Sequence, residues 1–393
     1  MAIITDPGMK KNKQIEQIFK EITKEKVSLF SLLKEIASIP SPTGSEKKKM
    51  LFLKEKLKEI DMEALIDNIG NCIVKLSANA SNSKKKTILV VAHADTACDP
   101  GKDHKITEDA RYIYGHGICD DSTGITGLLT TISLIKKHKI TFSNDLIFAF
   151  TVGEEGLGGK RGMKQIIKDY GKQIDAVINV ESHHIGRVTN QVIGQYRSEL
   201  LIDTKVGGHS FRDFGRPNAN VILAQIISDF SHFKLPQIKG KTTFNFGQIK
   251  GDGNINAIPK NASCLFEIRS ENNESLQKAK QTFKLILEKY REQYPDIAIT
   301  ENVSAEVPAV IFPADHRIYK ITMDIQKQLE IDSKLNAGNT DGDVSLAKGI
   351  PTVTIGTSEG WNTHSLNEYM EKKSFQLGIK QVFGVIHTIA SSY

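Results

Sequence analysis

Residues able to hold metal ions recur along this chain wherever an apolar run ends. His93-Ala-Asp95 follows Leu89-Val-Val-Ala. In an extended chain residues two apart share a face. Asp95 can therefore accept the proton on the second ring nitrogen of His93 and fix the tautomer that binds a metal; a purely structural histidine is the alternative. Gly115-His-Gly-Ile-Cys-Asp120-Asp121 precedes a helix, and its glycines let the backbone turn sharply. Asp120 can bridge two cations through its two oxygens, or either aspartate can simply cap the helix. Val152-Gly-Glu154-Glu155-Gly follows another apolar run. Adjacent carboxylates there are costly unless something positive sits nearby. One can bind a metal while the other takes a proton from water that the metal has acidified; a solvated loop is the bland reading. Val180-Glu181 is a further carboxylate after an apolar run, and Thr363-His364-Ser-Leu-Asn-Glu adds a second imidazole. His183 and His184 are treated as non-ligands. The set His93, Asp120, Glu155, Glu181 and His364 suits two zinc ions, with cobalt or manganese as alternatives.

The elements that must position these groups alternate in type. Ser28 to Ile60 has helical periodicity, broken at Ser38-Ile-Pro-Ser-Pro. Thr87-Ile-Leu-Val-Val-Ala, Asp145-Leu-Ile-Phe-Ala-Phe-Thr-Val and Ala176-Val-Ile-Asn-Val read as strands buried on both faces. Gly124 to Lys137 reads as a helix between them. This rhythm predicts an α/β domain, a mostly parallel sheet with helices on both faces. Such sheets bind ligands at the strands' carboxyl ends, where the motifs lie.

Near residue 195 the character changes. Glu199–Val206, Thr243–Ile249 and Ala262–Arg269 alternate as half-exposed strands do, and Ile297–Val307 can close their sheet. Ala219–Phe233 and Ser275–Tyr294 are amphipathic helices. From Pro308 the earlier rhythm returns, with a helix near Ile318–Leu329 and a buried strand at Thr352-Val-Thr-Ile-Gly. The expected organisation is a catalytic domain in two parts, 1–194 and 308–393, with an α+β domain inserted at 195–307.

Composition excludes several classes. The 393 residues are 39% hydrophobic and 25% charged, as in an ordinary globular protein. The net charge of +6 is mild. The lysine triplets Lys47–Lys49 and Lys84–Lys86 read as solvated surface, and no basic–aromatic interleaving points to nucleic acid. No stretch reaches the roughly 20 apolar residues of a membrane span. Cys72, Cys98, Cys119 and Cys264 form no CxxC pair, so neither a zinc knot nor a disulfide framework is expected. The polar, lysine-rich N-terminus through Lys26 lacks a signal-type apolar core, and a cytoplasmic location is expected.

Taken in order, His-x-Asp, Gly-x-Gly-x-x-Asp-Asp, Gly-Glu-Glu-Gly, Glu and His resemble the co-catalytic zinc family of peptidase T, glutamate carboxypeptidase, aminoacylase, acetylornithine deacetylase and succinyl-diaminopimelate desuccinylase, from about Ser31 onward. The resemblance implies that His93, Asp120 and Glu181 hold one metal, and that Asp120, Glu155 and His364 hold the other. It makes Glu154 the general base and later the proton donor to the leaving amine, and Asp95 the residue that orients His93. It also implies a cis peptide between Asp120 and Asp121. Val206-Gly-Gly-His209-Ser resembles the family's lid motif, whose histidine stabilises the oxyanion, commonly in the partner subunit; hence a homodimer through a lid and dimerisation domain. Asn256-Ala-Ile-Pro and Glu267-Ile-Arg269 match two further lid signatures, with Arg269 equally an ion-pair partner or a substrate ligand. Thr340 and Asp341, in Gly338-Asn-Thr-Asp-Gly-Asp, are expected to contact substrate. The charged stretch Arg212-Asp-Phe-Gly-Arg216-Pro-Asn departs from the commonest pattern and leaves substrate choice open.

The implied reaction is hydrolysis of an amide in a small peptide or N-acyl amino acid. Glu181 in its position points toward the carboxypeptidases and deacylases. The Gly-Asn-Thr-Asp-Gly loop points toward peptidase T, and an exopeptidase on short peptides is the favoured expectation. A deacylase or desuccinylase is the alternative, and a non-catalytic binding protein on the same scaffold the remote one.

Overall fold

A computed structural model describes residues 13–78, 85–98, 101, 105–236, 238 and 240–393; Lys84 and the first twelve residues of the lysine-rich N-terminus lie outside these. The chain divides into two compact units. The first comprises the residues as far as Asn190, Phe312–Asn336 and Thr340–Tyr393, and the second comprises Gln191–Ile311 with Ala337–Asn339.

In the first unit the sheet runs in the order Ala64–Ile66, Cys72–Leu76, Asp145–Thr151, Thr87–His93, Ala176–His183, Thr352–Ser358 and Arg187–Val192. The middle four strands are parallel, His93 standing beside Thr151 and Glu181 beside Gly356. The outer pairings are antiparallel. Alternate residues show why both faces are covered. Ile88, Val90 and Ala92 enter one core with the helices Lys26–Ala37, Lys47–Lys58, Ser122–Lys137, Arg317–Gln328 and Lys372–Ser392. Leu89 and Val91 enter a second core with Met163 and Ile166 of the helix Arg161–Tyr170. Parallel strands buried on both faces need such continuous apolar runs.

The second unit is α+β. Its antiparallel sheet has the order Thr242–Gly251, Asn261–Ser270, Gly194–Asp203, Ala298–Val307. The helices Ala219–Ser231 and Asn273–Gln293 cover one face. Phe230 and Phe283 of those helices close on Phe266 of the sheet, with ring centroids 5.0 Å and 4.0 Å away. A short bridge pairs Gly208–His209 with Ala257–Ile258.

Among the described residues no helix is long and apolar enough to cross a membrane. Cys72, Cys119 and Cys264 are buried thiols. Lys47 and Lys48 are exposed, but Lys49 is 2% exposed, a correction to the reading of that triplet as solvated surface: the helix Lys47–Lys58 turns Lys49 inward with Met50, Leu53 and Leu57.

Candidate dinuclear metal site

Four motifs meet at the carboxyl edge of the parallel strands. His93 ends its strand, Glu181 lies near the end of the next, and Glu154 and Glu155 follow Thr151. His364 reaches the same place from the loop after Ser358.

The Asp120 turn is built by backbone chemistry. Gly117 has φ +68°, and a Cβ there would stand 2.6 Å from Thr96 Cγ2, so glycine is required. The Asp120–Asp121 peptide is cis, as the resemblance implies. The two aspartates divide the roles left open by the sequence. Asp121 Oδ1 accepts from Gly124 N at 3.0 Å and caps the helix Ser122–Lys137, whereas Asp120 faces the histidines. Its Oδ1 is 3.0 Å from His93 Nε2, and its Oδ2 is 3.2 Å from His364 Nε2. Glu155 Oε1 lies 3.0 Å from His364 Nε2, and Glu181 Oε2 lies 4.0 Å from His93 Nε2.

Two triads result, His93–Asp120–Glu181 and Asp120–Glu155–His364, each with its ligand atoms within 4.8 Å of one another. A third set at the same spacing joins His93, Glu154 and Glu155. Ligand atoms about 2.1 Å from a tetrahedral zinc ion stand about 3.4 Å apart. The observed 3.0, 3.2 and 4.0 Å separations bracket that value, so the donor set fits two such ions.

The electrostatics match a place that calls for cations. Burial pushes the Glu181 carboxyl up to about 7 and raises Glu154 well above the usual carboxylate range, with neighbouring carboxylates adding to both shifts. Asp120 is also buried, but hydrogen bonding to His364 and His93 holds its carboxyl far below the usual range. The same contacts to Asp120 and Glu155 lift His364 to about 11.

Asp95 does more than the sequence reading assigns. The nearest partner of His93 Nδ1 is the Asp95 carbonyl at 3.1 Å, with the carboxylate Oδ1 at 3.6 Å. That carboxylate accepts from the backbone N–H groups of Glu154 (2.9 Å) and Glu155 (3.0 Å), and from the Thr43 hydroxyl (2.8 Å). Asp95 thus ties the His93 strand to the Glu154–Glu155 loop. Gly153 (φ +67°) admits the Arg161 guanidinium beneath that loop, where a Cβ would meet it at 2.2 Å.

Glu368 closes the His364 motif, and its residue type alone assigns it no role. It is 1% exposed and accepts from the N–H groups of Gly117, Cys119 and Asp120 at 2.8–2.9 Å. Burial and the Asp120 charge push its carboxyl up to about 7 against those bonds. The only hint in the sequence is a carboxylate closing the motif that begins at Thr363.

Thr340 and Asp341, expected to contact substrate, are buried and hydrogen-bonded within the protein. They are 5% and 1% exposed. Asn179 donates to the Thr340 hydroxyl at 3.0 Å, and Thr151 donates to Asp341 Oδ2 at 2.5 Å. His183 belongs to neither triad; its Nδ1 meets the Ser182 hydroxyl at 2.8 Å, and burial lowers its pKa to about 4. His184 is exposed, 3.9 Å from Glu359.

In the second unit His209 Nδ1 accepts from the N–H groups of Phe211 (3.2 Å) and Arg212 (3.4 Å). This leaves the ring proton on Nε2. Asp213 Oδ2 accepts from His209 N at 2.7 Å, and Arg216 pairs with Asp213 at 3.0 Å. Arg269 pairs with Glu267 at 2.8 Å. Asn256 is exposed, and its carbonyl accepts from Ser210 N at 2.9 Å.

Comparison with known proteins identifies the fold and the family. In solved structures the fold resembles a tripeptidase from Staphylococcus aureus (TM-score 0.77, 23% identity, 93% of this chain and 98% of that one). It also resembles aminopeptidase PepT from Bacillus cereus (TM-score 0.74, 21% identity, 93% and 99%). Curated relatives include the cytosol non-specific dipeptidase of Escherichia coli, 22% identical over 66% of this chain and 57% of that protein. Another is the succinyl-diaminopimelate desuccinylase of Orientia tsutsugamushi, 23% identical over 65% and 67%. Alignments to curated relatives span from 35% to 67% of those proteins' lengths. The profile of peptidase family M20/M25/M40 matches residues 89–388, three quarters of the sequence, and the chain belongs to that family.

Proposed function

We propose that this chain is a dinuclear-metal-dependent amide hydrolase, an exopeptidase of the tripeptidase or aminopeptidase kind that acts on short peptides. The observation that carries the reading is the division of Asp120, whose two oxygens face two different histidines at 3.0 and 3.2 Å. His93, Asp120 and Glu181 would hold one ion, and Asp120, Glu155 and His364 the other. Zinc fits the nitrogen and oxygen donors, and cobalt or manganese could replace it. Such ions, when bound, polarise a carbonyl and bring the pKa of water from about 15.7 toward 7.

The chain's own residues do the rest. Glu154 stands among the ligands yet outside both Asp120 triads, and Asp95 fixes its backbone. It takes the proton of the attacking water and returns it to the leaving amine. His209, with its proton on Nε2, donates to the developing oxyanion. We assign it to the centre of a second copy, and a homodimer follows. A cytoplasmic location accords with the cytosol dipeptidase among the relatives.

The desuccinylase relative favours a second reading, a deacylase of N-acyl amino acids. A cleavage screen separates the two. Metal-loaded protein is expected to release amino acids from free di- and tripeptides faster than from N-acetyl or N-succinyl amino acids, and chelation is expected to stop it. Preference for the acylated substrates would install the deacylase, and inertness toward all classes would sink the hydrolase.

Glu368→Gln is expected to weaken zinc binding about 10- to 100-fold, the usual cost of losing a group that orients a ligand. One amide oxygen cannot replace two carboxylate oxygens holding three N–H groups. Competition with a chromophoric chelator measures it; unchanged affinity would mean that Glu368 does not set the Asp120 turn.

A further inference from the structure

The loop that carries Glu154 and Glu155 leaves its strand at Thr151 and enters the next long helix at Arg161. One short segment of the chain holds both of its feet. At the first, the Thr151 hydroxyl donates to Asp341 Oδ2 at 2.5 Å. At the second, the Lys160 ammonium donates to Asp343 Oδ2 at 2.6 Å. All four residues are buried, Lys160 at 7% exposure and Asp343 at 1%. Asp343 Oδ2 also accepts from Thr340 N at 3.1 Å, which fixes the carboxylate to its own turn. The Thr340 hydroxyl accepts from the Asn179 amide, which also stands 3.5 Å from Glu181 Oε1. Residues 340–343 thus join the strand of Glu181 to both ends of the Glu154 loop.

Lys160 occupies its place against two costs. Its backbone is left-handed, with φ +59° and ψ 36°, a conformation that disfavours any residue with a Cβ. Burying an ammonium is also costly unless an opposite charge meets it. Burial raises the Asp343 carboxyl, and the ammonium opposes that rise. Strain that persists in a folded chain points to a geometry that matters. The turn at Lys160 is bound back onto the loop, since Arg161 N donates to Gly153 O at 3.3 Å and Gly162 N to Val152 O at 2.9 Å. Where Lys160 is anchored therefore decides where the returning leg of the loop lies.

We propose that Lys160 is a positioning residue: its ion pair with Asp343 closes a clasp on the Glu154–Glu155 loop and so sets where Glu154 stands for proton transfer. Asp95 fixes the loop's backbone at Glu154 and Glu155, and the clasp fixes its return. Bound zinc would hold the Glu155 side chain directly. Glu154 lies outside both Asp120 triads and is placed through its backbone, so opening the clasp acts on the base first. The inference rests on the reading of Glu154 as base.

The test uses the whole chain as wild type, Lys160→Met, Asp343→Asn and the double variant. Met keeps the length of lysine and its left-handed cost, and Asn keeps an oxygen for Thr340 N. Each single variant strands one buried group, whereas the double variant removes both charges, a change that is often near neutral for stability. Hydrogen exchange of the amides at 153–159 is read on metal-free protein. The constants kcat and KM are read at saturating zinc on the best substrate of the cleavage screen. The double variant is expected to exchange faster in the loop but not in the strands Thr87–His93 and Ala176–His183. It should lose about 10- to 100-fold in kcat with KM unchanged, the cost of a misplaced catalytic group. Single variants that fold should show the same kcat loss. Wild-type kcat in the double variant, a loss carried by KM, loop exchange that is unchanged or rises equally in the strands, or failure of the double variant to fold would overturn the proposal. A wild type that hydrolyses no amide would remove the base reading itself, a different failure from an active wild type whose double variant does not differ.

Discussion

Glu154→Gln is expected to keep both metal positions filled and to slow turnover by about 10²- to 10⁴-fold, the contribution of a well-placed general base. The substitution keeps the shape and the backbone N–H that Asp95 accepts at 2.9 Å. It removes only the ability to take up and return a proton. Both triads that contain Asp120 exclude Glu154, so metal content measured on the purified variant should equal that of wild type. The loss should fall on kcat, because Glu154 acts in bond breaking and not in holding substrate. A variant that turns over normally with full metal content would end the assignment of Glu154 as base.

His209→Ala is expected to fold, bind metal as wild type does, and lose about 10²- to 10³-fold in kcat, the cost of one oxyanion donor. The loop should survive, since the bond from residue 209 N to Asp213 is made by the backbone. The amides of Phe211 and Arg212, which lose the ring acceptor, lie on exposed residues where water can replace it. Mixing this variant with Glu154→Gln tests the subunit arrangement. If His209 serves the neighbouring copy, a mixed dimer regains one competent site, built from Glu154 of one chain and His209 of the other. Two inactive preparations would then recover activity on exchange of subunits. An active monomer, or no recovery after exchange, would refute the arrangement.

Much of the catalytic fold is legible because buried parallel strands must be apolar throughout. The runs at Thr87, Asp145, Ala176 and Thr352 all become strands of one sheet. Helices with one wet face are equally plain, and Ala219–Ser231 and Asn273–Gln293 fall within two residues of the expected spans. The helix Lys372–Ser392 is not legible in the sequence, because its buried residues, among them Phe375, Ile379, Phe383 and Ile386, wrap most of its circumference and erase the periodic stripe. The small sheet of Thr107–Glu108, Tyr112–Tyr114, Gly360–Trp361 and Tyr369–Glu371 has strands of two or three residues, too short to show alternation.

The site divides in the same way. The residues expected to bind metal carry their signal in type and position, and the structure gathers them. Glu368 carries only the hint of a carboxylate closing its motif, and Lys49 carries none. Their places depend on segments far off in sequence, as in the contacts of Glu368 with Gly117 and of Thr43, in the chain before the helix of Lys49, with Asp95. For Thr340 and Asp341 the loop motif gives residue types but not the buried contacts their side chains make with Asn179 and Thr151.

The most direct test of the dinuclear centre is a crystal structure of zinc-loaded protein with anomalous data at the zinc edge. Two anomalous peaks per chain are expected, one among His93, Asp120 and Glu181 and the other among Asp120, Glu155 and His364, with Asp120 touching both. A single peak, or peaks away from Asp120, would contradict the account.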